Sequence, residues 1–221
     1  MDALYYIGSG SMRNNIELRY SLRALEKNGK NIDHVFVVGN RPEFLNTNVN
    51  YIWVEDKYEW WRNAFEKTKA AIKEGISDEF LLMNDDFFML QCFDAEKYPY
   101  YHRGDIPLYK TGKYGEVLAN TRRVLEKVGA PIKHYGVHCP MRINGQKYLE
   151  LEKFYTEPVL ARCLSGNLYA EAGQKITDNK GDELRVGKTK CWSSREWLED
   201  KALNLLQSKF TQPSRWEKED V

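Results

Sequence analysis

Asn84-Asp85-Asp86 stands directly after the apolar run Phe80-Leu81-Leu82-Met83. Two adjacent carboxylates at the end of a buried strand are costly unless a cation neutralises them. A Mg²⁺ or Mn²⁺ ion shared with a diphosphate is the simplest solution, because hard cations take carboxylate oxygens and keep substrate phosphates in their shell. If the strand persists, its alternation sends Asn84 and Asp86 to one side and Asp85 to the other. That favours Asp86 as metal ligand and Asn84 as a contact to the bound nucleotide or to metal-bound water. Asp85 is either an orienting group or a second ligand. His138, within His134-Tyr135-Gly136-Val137-His138-Cys139-Pro140, adds an imidazole able to ligate the metal or to move a proton.

Two more polar strand ends accompany the acidic one. Gly8-Ser9-Gly10-Ser11, followed by Arg13 and Asn14, lies between the first apolar run and the first helix. Small residues before a helix N-terminus let a nucleotide approach backbone N–H groups, although the pattern is neither a P-loop nor a complete GxGxxG. Arg13 or Arg19 is placed to meet a phosphate. Glu55-Asp56 closes a third run, and Asp56 joins Gly8, Ser9, Gly10, Arg13, Asn14, Asn84 and Asp85 as candidate donor-binding residues. Asp105, Glu150 and Glu152 are the acids available to deprotonate an acceptor hydroxyl.

The elements that must position these groups read as alternating strands and helices. Ala3–Ile7, Asp33–Gly39, Asn50–Val54 and Phe80–Met83 are short apolar runs. Between them lie helical patterns ending near Asn28, with Leu18, Leu22 and Leu25 on one face, and over Trp60–Glu74. Asn14 or Asn15 offers an N-cap for the first. Such a pattern predicts a mainly parallel sheet flanked by helices, with ligands beyond the carboxyl ends of its strands. Gln91–Tyr114 reads as an irregular stretch. Helices are expected over Glu116–Val128, Gln146–Tyr155, Pro158–Tyr169 and Ser194–Ser208, with extended pieces at His134–Cys139 and Leu184–Lys190. One domain over 1–221 is the economical organisation, residues 1–90 binding donor and metal and residues 91–221 forming a mainly helical acceptor side.

Leu81-Leu82-Met83-Asn84-Asp85-Asp86-Phe87-Phe88 resembles the strand, NDD and aromatic motif of the Stealth-type sugar-phosphate transferases and related glycosyltransferases. Asn15–Arg23, His138-Cys139-Pro140 and Lys209–Glu217 are similar to supporting segments of the same group. The resemblance implies a GT-A-like, Rossmann-like α/β fold with a divalent ion at the acidic strand end, Asp86 at the metal and His138 near the reacting diphosphate. The opening element of that family is matched only loosely by Asp2–Gly8, which favours transfer of a sugar from a nucleotide-diphosphate sugar, UDP being the commonest donor of the group. The acceptor is a hydroxyl on a glycan or a hydroxymethylated DNA base. Sugar-1-phosphate transfer is the alternative, and a non-catalytic nucleotide- or glycan-binding module is the second.

Composition narrows the field. The 221 residues carry 33 Lys+Arg against 32 Asp+Glu, which lacks the basic footprint of a dedicated nucleic-acid binder. Aromatics make up 13% of the chain, a richness that suits a stacking, sugar-facing cleft. No apolar run approaches the ~20 residues of a membrane span, and the N-terminus lacks a signal-peptide pattern. Four scattered cysteines without a CxxC pair read as free thiols. A cytoplasmic location is expected.

Overall fold

The computed structural model describes residues 1–8, 14–108, 111–176, 187–194 and 198–218. Its centre is a five-stranded sheet. In chain order the strands are β1 (Asp2–Tyr6), β2 (Val35–Val38), β3 (Val49–Ile52), β4 (Glu79–Met83) and, after the short strand β5 (Phe87–Met89), β6 (Met141–Asn144). The spatial order is β3-β2-β1-β4-β6, and all neighbours are parallel except β6, which runs antiparallel to β4. Tyr6 lies opposite Val38, and Tyr5 opposite Met83. The chain moves outward from β1 through β2 to β3, then returns to place β4 on the other side of β1. The crevice beyond the carboxyl ends of β1 and β4 is therefore the topological switch point, where open α/β sheets bind ligands.

Alternation along the strands divides the core in two. Ala3, Tyr5, Val35, Val37, Leu81 and Met83 face helix α1 (Ile16–Asn28), which buries Leu18, Leu22 and Leu25 against them. Leu4, Phe36, Val38, Phe80 and Leu82 face the other layer with Phe65 of helix α2 (Trp60–Lys73). That layer also holds Leu118 and Leu125 of α3 (Gly112–Lys127), Tyr148 of α4 (Gly145–Leu149) and Leu164 of α5 (Ala161–Tyr169). Full burial of each such side chain contributes roughly 1.5–3 kcal/mol. Strand β7 (Cys191–Ser193) pairs antiparallel with β5, and helix α6 (Asp200–Lys209) covers Phe88 and Trp192. All four cysteines are free thiols, and no described helix is long and apolar enough to cross a membrane.

The mixed α/β architecture with a mostly parallel, helix-flanked sheet agrees with the sequence reading, and several boundaries differ. Residues 134–139 form no strand; the extended piece falls instead at β6, which alternates inward (Met141, Ile143) and outward (Arg142, Asn144) at the sheet edge. The helix expected over 146–155 turns into a 3-10 segment at Glu150–Phe154. The fifth helix begins at Ala161, three residues past Pro158. The helix expected from Ser194 begins at Asp200, because Ser193 and Ser194 are committed to β7 and its end. Residues 184–186 lie outside the described residues, and 187–190 form a turn rather than a strand. Asn15 is the N-cap of α1, in a left-handed conformation (φ 58°) and without a capping bond from its side chain. The split at residue 90 has no counterpart in the sheet, since β6 from the second half completes it.

Candidate active site

A cavity of about 930 Å³ opens beyond the switch point. Gly8 after β1, Asp56 after β3, Asn84 and Asp85 after β4, and His138 all line it. These candidates, drawn from four separate segments of the sequence, are thus brought together. Asn14 is not among the lining residues, and Ser9, Gly10 and Arg13 lie outside the described residues. Arg19 is turned elsewhere: it pairs with Glu217 at 3.5 Å and stacks on Phe44.

The acidic wall is built on a turn. β4 stops at Met83, and the Phe87 N–H donates to the Asn84 carbonyl at 3.2 Å. Strand alternation therefore does not extend through 84–86, and the expectation that Asn84 and Asp86 share one side fails for that reason. Asn84 and Asp85 face the cavity together. The Asn84 Oδ1 is buried without a hydrogen-bond partner among the described residues. Burial first, then the charges of Asp86 and Glu17, push the Asp85 carboxyl up to about 7. No Lys or Arg among the described residues pairs with it.

Asp86 sits behind this pair. Its Oδ2 accepts a hydrogen bond from Ser193 Oγ, and Ser193 Oγ lies 3.2 Å from His138 Nδ1. With the hydroxyl proton given to Asp86, Ser193 accepts from the Nδ1–H of His138. The β5–β7 pairing, which sets Ser193 opposite Phe87, makes this chain of contacts. Among the described residues no group of three or more His, Cys, Asp or Glu side chains is arranged to hold a metal ion. The carboxylates of Asp85 and Asp86 and the buried Asn84 amide oxygen are nevertheless oxygen donors of the hard type that Mg²⁺ takes.

Cations line the cavity as well. Lys67, Arg103 and Arg162 line the same cavity. Lys67, on the buried face of α2, pairs with Asp56 Oδ1 at 2.5 Å and donates to the Ile7 carbonyl at 2.6 Å. Asp56 is thereby held by a lysine. Gly39 makes room for this knot: its φ is +125°, and a Cβ there would stand 2.2 Å from the Ile7 carbonyl oxygen. Arg162 is only 8% exposed. One of its terminal nitrogens donates to the Cys139 carbonyl at 2.6 Å, its plane lies over Phe87, and its Nε is buried without a hydrogen-bond partner among the described residues. No carboxylate among the described residues pairs with Arg162.

Sequence patterns gave no notice of Lys67, Arg103, Arg162 or Ser193. A cation on an amphipathic helix reads as a solvated face, and only packing turns Lys67 and Arg162 inward. The acids suggested for proton transfer are placed elsewhere. Asp105 pairs with Lys133, Glu152 with Lys69, and Glu150 accepts from the Tyr169 hydroxyl at 3.0 Å; none lines the cavity.

An α/β domain with polar strand ends gathered at a topological switch point, and with charges of both signs lining one cavity, has the arrangement of a ligand-binding site. No family model matches the chain. The chain is similar to an exopolysaccharide phosphotransferase of Streptomyces coelicolor, 30% identical over 171 residues, covering 64% of this chain and 28% of that protein. The chain thus spans under a third of that relative's length.

Proposed function

We propose that the cavity transfers a sugar phosphate from a nucleotide-diphosphate sugar to a hydroxyl of a saccharide. The observation that carries this reading is a pair of charges unmatched among the described residues: Arg162 without a carboxylate and Asp85 without a cation, facing one cavity. A buried charge without a partner is costly, and a diphosphate with its divalent cation satisfies both. The similarity to an exopolysaccharide phosphotransferase supports phosphate transfer over the plain glycosyl transfer favoured from the sequence.

In this scheme the acceptor oxygen bonds to the phosphorus that bears the sugar. The bond from that phosphorus to the bridging oxygen breaks, and nucleoside monophosphate leaves. Arg162 and Arg103 bind the phosphate oxygens and stabilise charge that builds in the transition state. His138, with Nδ1–H directed at Ser193, takes the acceptor's proton at Nε2. Asp85 and Asp86 would hold Mg²⁺ or Mn²⁺, which when bound neutralises phosphate charge. Asn84 presents its buried Oδ1 to that assembly.

Product analysis tests the scheme. UDP-sugars, Mn²⁺ and oligosaccharide acceptors are incubated with the protein, and released nucleotides are separated. UMP with a phosphate-bearing product is expected. UDP with a phosphate-free glycoside instead makes the site a glycosyltransferase.

A further inference from the structure

Among the described residues, the large aromatic side chains left exposed are not scattered. Trp53, Tyr58 and Trp60 fall within eight residues, at 64, 58 and 44% exposure, and Tyr114, at 37%, touches Trp60 with ring centroids 5.9 Å apart. Trp60 opens α2 and Tyr114 stands in the first turn of α3, so two helix starts meet at this contact. Both rings also line the cavity that holds Asp85 and His138. Exposed aromatic clusters of this kind mark ligand surfaces.

We propose that Trp60 and Tyr114 form the stacking platform for a sugar ring of the saccharide acceptor, an inference that rests on the transfer reading above. A pyranose offers an apolar C–H face and a rim of hydroxyls, which an aromatic face and its polar surroundings complement. The donor is small enough to be enclosed, whereas a polysaccharide must leave the cavity through its mouth. Trp60 and Tyr114 meet that requirement, since both line the cavity and both stay partly exposed. The backbone leading into the platform is tied down on both sides. Asn63 holds the Tyr58 backbone through bonds of 2.9 and 2.6 Å, and Lys113 joins Glu59 at 3.0 Å beside the two rings. Such preorganisation lowers the ordering cost of binding.

Calorimetry on the whole chain, without donor, tests the platform with soluble gluco-, manno-, galacto- and N-acetylglucosamine oligosaccharides, and separately with UMP. At least one saccharide series is expected to bind with affinity rising with length. Trp60→Ala should weaken it about tenfold, Trp60→Phe far less, and UMP affinity should be the same in all three proteins. The thermal midpoint of Trp60→Ala should match that of the parent, which separates lost stacking from lost folding. Failure of every saccharide to bind overturns the platform. So does a loss of UMP affinity in Trp60→Ala, which would make the rings a nucleobase stack. Saccharide binding that depends on Trp60 in a protein releasing UDP upholds the platform and removes only the phosphate-transfer reading.

Discussion

Glu217 and Asp85 are both acids withdrawn from solvent, and they are treated in opposite ways. Glu217 is 5% exposed and saturated with partners. Arg23 grips it through two bonds of 2.8 and 2.7 Å, and Ser214 donates its backbone N–H at 2.8 Å and its hydroxyl at 3.0 Å. Asp85 instead faces Asp86 and Glu17, and no described cation answers it. A satisfied charge fixes structure, whereas a charge left in conflict marks a place where something must bind. Two of the segments similar to the Stealth-type group, Asn15–Arg23 and Lys209–Glu217, thereby acquire a shared purpose. The Arg23–Glu217 clasp ties the C-terminal segment to α1, whose Ser21 donates to the Phe87 carbonyl at 2.6 Å just past the acidic turn.

The contrast breaks most visibly at the clasp. Glu217→Ala should cost about 3–5 kcal/mol in urea unfolding, because it removes the carboxylate that neutralises the largely enclosed Arg23 guanidinium. Donor binding measured at low temperature, where the chain stays folded, should change little. Asp85→Asn should do the reverse. Transfer should fall about 100- to 1,000-fold with the loss of charge facing the phosphates, measured as nucleotide release, while unfolding shows equal or greater stability.

The two acids also differ in how plainly they can be read in advance. Phe80–Met83 is a continuous apolar run that ends abruptly in polar residues, so both β4 and the acidic turn announce themselves locally. β1 and β2 are legible for the same reason, and with them the switch point. The Arg23–Glu217 pair joins residues 194 positions apart, which no local pattern encodes. Lys67 and Arg162 were hidden by chemistry of another kind, since their helices look amphipathic with or without them. β6 is short, follows Pro140 and owes its place to the edge of a sheet completed elsewhere. Local hydrophobic period thus reveals the scaffold and the acidic half of the cavity, whereas the cationic half exists only after tertiary packing.

Ser193→Ala sharpens the comparison at smaller scale. Ser193 ties Asp86 to His138, and removing its hydroxyl takes that contact from both. Turnover should drop about tenfold, as for other groups that orient a reacting residue, with the donor's KM unchanged. Ser193→Thr, which retains the hydroxyl, should restore most of the rate. Equal losses in both variants would assign the effect to packing of β7 against β5.

A further contrast concerns the proton on Asp85. Its carboxyl is pushed up to about 7 from 3.8. Below 3.8 it is protonated in both folded and unfolded chains, and burial then costs nothing in charge. Between 3.8 and about 7 the folded chain keeps a proton that the unfolded chain releases, so stability declines as pH rises. Above about 7 the folded chain bears the whole cost of a desolvated carboxylate beside Asp86 and Glu17. Asp85→Asn lacks this slope. The thermal midpoints of parent and variant should therefore meet near pH 4, separate as pH climbs, and run parallel beyond pH 8. Mn²⁺ should raise the parent's midpoint more at pH 8 than at pH 5, because the ion binds the ionised pair. A gap between parent and variant that is the same at every pH would mean that Asp85 is no more burdened than Glu217, and the contrast between the two acids would fall.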